Sequence, residues 1–488
     1  MNRMRVETNV FWGDVLSREV TVPVCRNISP MLSFFSADDT VRNKVLDLSE
    51  ARCSKHIMLI GGIGTGKTNT TNHIVQHLDN SMTSQDVMVI FDTKGDFYNL
   101  FYSDVVDYVI GNSDAFMDET RYWNIFREIE FGGKTRKERE LMAKEISKAL
   151  FENRKNNTQP FFSSAASDLF YKILVGTMRE YLWNLPEYRQ LEAEMNTALK
   201  NRRRSVNRNA DVIDRILRKQ REWFSEKANV LNNRFLVTEI LHKWEGKDYQ
   251  NLLNKKGNED FKSAKTYIGD GTSTQALGVF GEMNSMVNDY FVGIFADYEE
   301  GKDISMREVV HKKGGRKIFI EYDLSIGQVL TPMYTLLIDL ALKEALGRAR
   351  SEGNVFLIVD EFKLLPKLNH IDDALNFGRS LGVKVVAGIQ NIKQLEDVYG
   401  ETRGQVIAAG FSNVIAFRMT DEASRKYVSE LFGKNYMSIK YWKSDGEPEE
   451  TEREGYTVED WNLMNLKVGQ AVIGVTGHTP FLFQFEEF

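Results

Sequence analysis

The stretch HIMLIGGIGTGKTNTTNHIVQHL, residues 56–78, decides how the rest of the chain is read. An apolar strand ending in Met58, Leu59 and Ile60 runs into Gly61, Gly66, Lys67 and Thr68, the spacing G-x-x-x-x-G-K-T, and an amphipathic helical pattern comes next. This is a phosphate-binding loop. Its glycines let backbone N–H groups turn inward around a phosphate, the Lys67 ammonium reaches the β and γ oxygens, and the Thr68 hydroxyl can hold Mg²⁺. A chance glycine-rich turn would explain the glycines but not Lys-Thr at that offset behind a strand. The expected cofactors are ATP and Mg²⁺, bound by Gly61, Gly62, Ile63, Gly64, Thr65, Gly66, Lys67, Thr68 and Asn69, with Thr68 a metal ligand.

Outward from the loop, further apolar runs read as strands: Val87 to Phe91, Lys317 to Asp323, Asn354 to Glu361, Val383 to Gln390 and Asn413 to Arg418. Nearly unbroken apolar strands alternating with helices predict an α/β fold with a mostly parallel sheet covered on both faces. Between residues 128 and 312 the pattern changes to long charged helices, such as RKERELMAKEISKALF, which predicts an inserted all-α domain. The domains expected are thus a small β and loop segment at 1–55, a nucleotide-binding domain formed by 56–127 with 313–488, and the insertion at 128–312. In the leading segment Arg18 to Val24, REVTVPV, is the clearest strand. The acidic stretch from Ser444 to Gly455 reads as an exposed hairpin tip or loop.

The 488 residues, 42% of them hydrophobic, fit an ordinary globular chain of roughly two to four domains. Cys25 and Cys53 are too few for a disulfide framework, and no C-x-x-C suggests zinc, so a reducing cytosol fits best. No signal-peptide core opens the chain, and nowhere do eighteen apolar residues run together. Even Val329 to Leu346 is interrupted by Asp339, Lys343 and Glu344. The net charge of −6 argues against a uniformly basic nucleic-acid coat but allows positive charge concentrated in a cleft or ring. One such concentration runs from Lys200 to Arg221, where nine Lys and Arg residues are opposed only by Asp211 and Asp214. It reads as a solvated helix face or as a phosphate-backbone contact.

The strand NVFLIVDEF delivers Asp360 and Glu361 at its carboxyl end, where ligands bind in open α/β sheets. Asp360 is placed to hold Mg²⁺, directly or through water, and Glu361 to orient the attacking water and accept its proton. Such a base favours hydrolysis over the transfer chemistry of a kinase. Gln390 ends the next strand at the same edge and can sense the γ-phosphate or position water. Arg379, near the end of a short helix, caps that helix or crosses a subunit boundary as an arginine finger. Asp92 and Asp96 lie near the nucleotide or begin a turn.

Taken in order, GGIGTGKT, VIFDTKGDFYNLF, RYWNIFREI, VFLIVDEF, GRSLGVKVVAGIQNIKQLEDVYG and NVIAFRMTDEASRKYVSELFG resemble the coupling-protein ATPases of conjugative type IV secretion. The resemblance spans roughly residues 55 to 485. It implies a RecA-type P-loop NTPase with an all-α domain, assembled as a homo-hexamer that moves DNA through its channel, with ATP between subunits. Position by position, Lys67 and Thr68 match the phosphate-loop pair, Asp360 and Glu361 the second acidic motif, Gln390 the glutamine sensor and Arg379 the trans-acting arginine. A relaxase-bound DNA strand and a membrane secretion channel are implied partners. Family members commonly begin with transmembrane helices, and none is legible here. Either a separate protein holds the chain at the inner face of the cell membrane, or it is a soluble cytoplasmic relative. Two other readings are a ring translocase for DNA in repair or phage defence, and an ATP-gated adaptor that recruits proteins.

Overall fold

Apolar residues at every position of Ile57–Ile60, Val87–Asp92, Val355–Val359 and Val383–Ile389, Asp92 and Lys384 excepted, leave these segments no solvent face, and each becomes a fully buried strand. The computed structural model describes residues 6–40, 44–152, 154, 160–201, 206–347, 352–442 and 448–488. By Cα packing the chain forms two compact units, one of residues 1–107, 313–319 and 345–488, the other of residues 108–312 and 320–344.

In the first unit the strands run in the order Phe481–Gln484, Gln470–Val475, Asn413–Ala416, Ile57–Ile60, Val383–Ile389, Val355–Val359, Val87–Asp92 and then Arg316–Glu321, which begins in this unit. From Asn413–Ala416 to Val87–Asp92 all neighbours are parallel, and the two strands beyond Asn413–Ala416 pair antiparallel. This order gathers three motifs. The strand ending before Gln390 lies between the strand of the phosphate loop and the strand ending before Asp360. Ile60 pairs with Ile389, and Val359 with Ala387, so the three carboxyl ends fall together. Gly388 permits this closeness: a Cβ there would stand 2.2 Å from the Asp360 carbonyl oxygen.

The leading segment differs from its sequence reading. Arg18 to Val24 is not a strand: Ser17 makes a single bridge to Phe481, and the Thr21 hydroxyl donates to the Thr479 carbonyl at 2.9 Å. Alternating Val20 and Val22 are buried, yet Pro23 lacks an N–H and the run forms no ladder. The strands here are Val6–Trp12, Leu32–Phe35 and Val45–Leu48. The acidic stretch also departs from expectation, because Pro448–Tyr456 is a strand paired antiparallel with Lys434–Trp442, which pairs in turn with Val6–Trp12. Its acids face bases across the ladder, Glu450 opposite Lys440 and Glu454 bonded to Lys434 at 2.7 Å, pairings that stabilise a sheet. Residues 444–447, the first part of that stretch, lie outside the described residues.

The second unit is mainly helical, with long helices at Arg136–Glu152, Pro160–Met178, Pro186–Asn201, Val206–Glu226 and Thr274–Tyr290, and strand pairing that includes Tyr122–Trp123 parallel with Asp303–Ile304. Arg139, 1% exposed, is held by the Glu130 and Gly133 carbonyls, the Gln220 amide oxygen and the Glu130 carboxylate, so a buried charge is paired and hydrogen-bonded. On Val206–Glu226, Ile213, Ile216 and Phe224 are buried while the Arg215 side chain is 62% exposed. Arg202 to Arg204 and the Arg208 side chain lie outside what is described. No helix among the described residues is long and apolar enough to cross a membrane.

Candidate nucleotide site

The loop between the Ile57–Ile60 strand and the Lys67–Ser81 helix turns through Gly64 and Gly66, both at positive φ. Gly66, at φ 115°, packs backbone to backbone on Gly469, whose Cα would be 3.0 Å from a Cβ added at residue 66. The helix beyond it buries Thr70, Thr71, Ile74, Val75 and Leu78 on one face, which fixes its N-terminus at the sheet edge. Loop N–H groups and the positive end of the helix dipole thereby share one direction.

Lys67 and Thr68 open this helix. The Lys67 ammonium donates to the carbonyls of Gly61 at 2.7 Å and Gly62 at 2.9 Å. Burial pulls its pKa below the usual lysine range, against the opposite pull of Asp360 and Glu361. The Thr68 hydroxyl donates to Asp360 Oδ2 at 2.9 Å, although 292 residues separate them. Burial pushes the Asp360 carboxyl above the ordinary range, while the Thr68 bond and the Lys67 charge pull it down. The other Asp360 oxygen, Oδ1, is buried without a hydrogen-bond partner.

This donor set fits Mg²⁺. The ion keeps several waters and takes one or two protein oxygens beside phosphate, and a hydroxyl next to an unpartnered carboxylate oxygen supplies that number. Among the described residues no cluster of three or more His, Cys, Asp or Glu forms a ready-made cage.

Glu361 follows Asp360 into a short turn at Phe362–Leu364. Its Oε2 accepts from Gln390 Nε2 at 2.7 Å, and the Gln390 amide oxygen accepts from Gln394 Nε2 at 3.3 Å. Because a carboxylate only accepts, the Gln390 amide must turn its nitrogen to Glu361. Glu361 Oε1 has no hydrogen-bond partner, and the Lys363 ammonium lies 3.7 Å from it. One oxygen is thus held, and the other is buried with its hydrogen-bonding capacity unspent.

The structure brings Lys67, Thr68, Asp360, Glu361 and Gln390 to one edge; Arg379 is elsewhere. It is exposed on the Gly378–Leu381 turn that precedes the Val383–Ile389 strand, at the end opposite Gln390, beside Ala51, Ser54 and Asn376. Asp92 is buried as a turn former: its carboxylate accepts the N–H groups of Lys94, Gly95, Phe97 and Tyr98. Asp96, exposed, begins the short helix Asp96–Phe101.

Sequence reading missed Lys94 and the wall beside the loop. A cavity of about 780 Å³ is lined by Gly64, Gly66, Lys67, Thr68, Asn69 and Lys94, and also by Val468, Gly469 and Gln484 to Glu487. Lys94 carried a local signal, a lysine just past a strand's carboxyl end; the wall carried none.

Raised by burial, Asp360 binds its proton more tightly folded than unfolded. Stability therefore falls as pH rises from the unfolded carboxyl range through the raised value, and the penalty is full at neutral pH. Asp360→Asn is expected to lift the thermal midpoint by about 2–4 °C at pH 7, the response of a large domain to roughly 1 kcal/mol, with the gain shrinking toward pH 4. Melting curves of both proteins across that range check it.

Parallel strands with a phosphate loop, an acidic pair and a glutamine at adjacent carboxyl ends define a P-loop NTPase of the RecA type. Residues 43–208 and 200–460 match the family of the type IV secretion-system coupling protein DNA-binding domain, and the chain belongs to it. It is 22% identical over 381 residues to the coupling protein TraD of Escherichia coli strain K12, covering 77% of this chain and 43% of TraD, so it spans under half of that relative. It shares its fold with the plasmid coupling protein TrwB, solved with the non-hydrolysable ATP analogue ADPNP, at a TM-score of 0.65 and 17% identity over 98% of this chain and 95% of that one. VirB4 of Thermoanaerobacter pseudethanolicus aligns at a TM-score of 0.55 and 11% identity over 96% and 98% of the two chains.

Proposed function

We propose that this chain is an ATP-hydrolysing DNA translocase, a coupling protein that recruits and pumps DNA, single-stranded and relaxase-linked, in conjugative transfer through a type IV secretion system. The observation that carries the reading is the pair of bonds at one sheet edge, Thr68 to Asp360 and Gln390 to Glu361, beside the phosphate loop. Family membership supports DNA and secretion components as partners. TrwB has been solved with ADP and Mg²⁺ and with ADPNP, which supports ATP and Mg²⁺ as the ligands here.

In this mechanism the loop N–H groups and Lys67 would hold the β and γ phosphates, and Thr68 with Asp360 would hold Mg²⁺, whose charge would offset that of the phosphate oxygens. Glu361 Oε1 accepts the proton of the attacking water. Gln390 fixes the Glu361 carboxylate through Oε2 and couples its position to the Gln394 helix, Ile392–Tyr399. Residues 56–127 with 313–488 would form the motor, 128–312 an all-α domain that meets DNA or cargo, and 1–55 a leading segment. The working form is a homo-hexamer, cytoplasmic and held at the inner face of the membrane by a partner.

The test is ATP hydrolysis by the purified chain with and without single-stranded DNA, alongside its mass in solution. A DNA-dependent rise of at least several-fold, falling with added salt and accompanied by ring assembly, is expected. Full hydrolysis by a monomer indifferent to DNA would sink the motor reading, and a hydrolysis-dead Glu361→Gln variant that still supported all transfer would favour the ATP-gated adaptor.

A further inference from the structure

The cavity beside the phosphate loop is chemically divided, and the division points to which part of a ligand goes where. One chain segment in its lining is the loop and helix start with Lys67 and Thr68, joined by Lys94. The other supplies two acids, Glu486 and Glu487, and the exposed apolar side chain of Val468, 61% accessible; Ile63, 83% accessible, projects from the loop itself. Apolar side chains left in the open around a cavity gain by being covered.

This wall is fixed to the loop by a chain of bonds. Gly469 donates its N–H to the Thr65 carbonyl at 3.0 Å, and Phe485 donates its own to the Gly469 carbonyl at 2.9 Å. Asn69 Nδ2 donates to the Glu486 carbonyl at 2.8 Å, and Asn69 Oδ1 accepts from the Phe488 N–H at 2.8 Å. His73 contacts the same Glu486 carbonyl at 3.1 Å, and its ring meets the Phe488 ring edge to face at 5.1 Å. Both polar atoms of the Asn69 side chain are thereby committed to positioning residues 486–488.

Carboxylates accept and never donate, so Glu486 and Glu487 repel phosphate oxygens and suit hydroxyl or amine donors. Gln484 spends its amide N–H groups on the Val468 and Phe485 carbonyls at 3.1 and 3.3 Å, which leaves its Oε1 as a further acceptor. A triphosphate that begins at Lys67 and passes Asn69 thus meets a wall of acceptors and apolar surface. The nucleoside is the part of ATP with hydroxyl and amine donors on a flat apolar body.

Resting on the nucleotide-site reading, we infer that residues 484–487 with Val468 form the nucleoside subsite, in which the Glu486 and Glu487 carboxylates receive the ribose hydroxyls and Val468 covers a face of the base. The site selects ribonucleoside triphosphates over 2′-deoxyribonucleoside triphosphates. Asn69 is a positioning residue: it holds the wall at the distance the ribose requires.

Equilibrium binding of Mg–ATP, Mg–2′-deoxy-ATP and Mg–tripolyphosphate to the full chain tests this. The wild type should prefer ATP over 2′-deoxy-ATP by about tenfold, the scale of one hydrogen bond to a charged group. A Glu486→Ala, Glu487→Ala double variant should lose that preference and leave tripolyphosphate binding unchanged or slightly tighter. Val468→Glu should weaken ATP about tenfold while sparing tripolyphosphate. Equal loss for ATP and tripolyphosphate, or a ribose preference that survives the double variant, overturns the subsite. Failure of the wild type to bind either ligand overturns the nucleotide-site reading itself, a separate result.

Discussion

A Glu361→Gln protein is expected to bind ATP as tightly as the wild type and to hydrolyse it about 10²–10⁴-fold more slowly, the range over which a positioned general base acts. The substitution is close to isosteric. An amide oxygen at this position can still accept the Gln390 Nε2 bond, which is 2.7 Å in the wild type, so the link to Gln394 survives. What is lost is the proton affinity of Oε1, the oxygen that has no hydrogen-bond partner of its own. Binding of a fluorescent ATP analogue and single-turnover hydrolysis separate the two effects. Lys67→Ala gives the contrasting pattern, because it removes a contact that nucleotide binding itself needs. Turnover by the Gln variant within tenfold of the wild type would remove Glu361 from the base role.

The residues at this edge were legible because each announces itself locally. An unbroken apolar run followed by Gly, by Asp-Glu or by Gln is visible without knowing which strand lies beside which. What the chain does not print is adjacency. That the Gln390 strand sits between the other two depends on which buried faces pair, a choice made across more than three hundred residues; the Gln390 to Glu361 bond is its product. The wall at Gln484 to Glu487 was invisible for the same reason, since the Asn69 to Glu486 contact spans 417 positions. Local pattern also misled where two uses share one spelling. Alternating valines at 20 and 22 read as a strand, yet they only cover buried surface beside Pro23. The acidic stretch from Ser444 to Gly455 read as an exposed hairpin tip or loop, yet from Pro448 onward it is a strand in which Glu454 pairs with Lys434 and Glu450 lies opposite Lys440. Asp92 left two readings open, and four backbone N–H groups on its carboxylate favour the turn.

Arg379→Ala is expected to lower hydrolysis about 10³-fold or more, the worth of an arginine finger, and the loss should be repaired by another copy of the chain. The reason is distance within one sheet. Arg379 precedes the seven-residue strand Val383–Ile389 and Gln390 follows it, so roughly 23 Å of strand at 3.3 Å per residue lies between the arginine and the catalytic edge. No rotamer of its own side chain covers that span. Arg379 is exposed, which puts its guanidinium where a neighbour's γ-phosphate can meet it. Arg379→Lys should restore little, since an ammonium lacks the planar fork that grips phosphate oxygens. Mixing two inactive proteins isolates the geometry. A Lys67→Ala subunit keeps a sound Arg379 beside a disabled loop, and an Arg379→Ala subunit keeps a sound loop without a finger. In a mixed ring, the first completes the site of the second. Hydrolysis should therefore reappear on mixing, rise with the fraction of mixed interfaces and vanish on dilution below the assembly concentration. An arginine that merely caps its own helical turn would cost little when removed and would give no recovery on mixing.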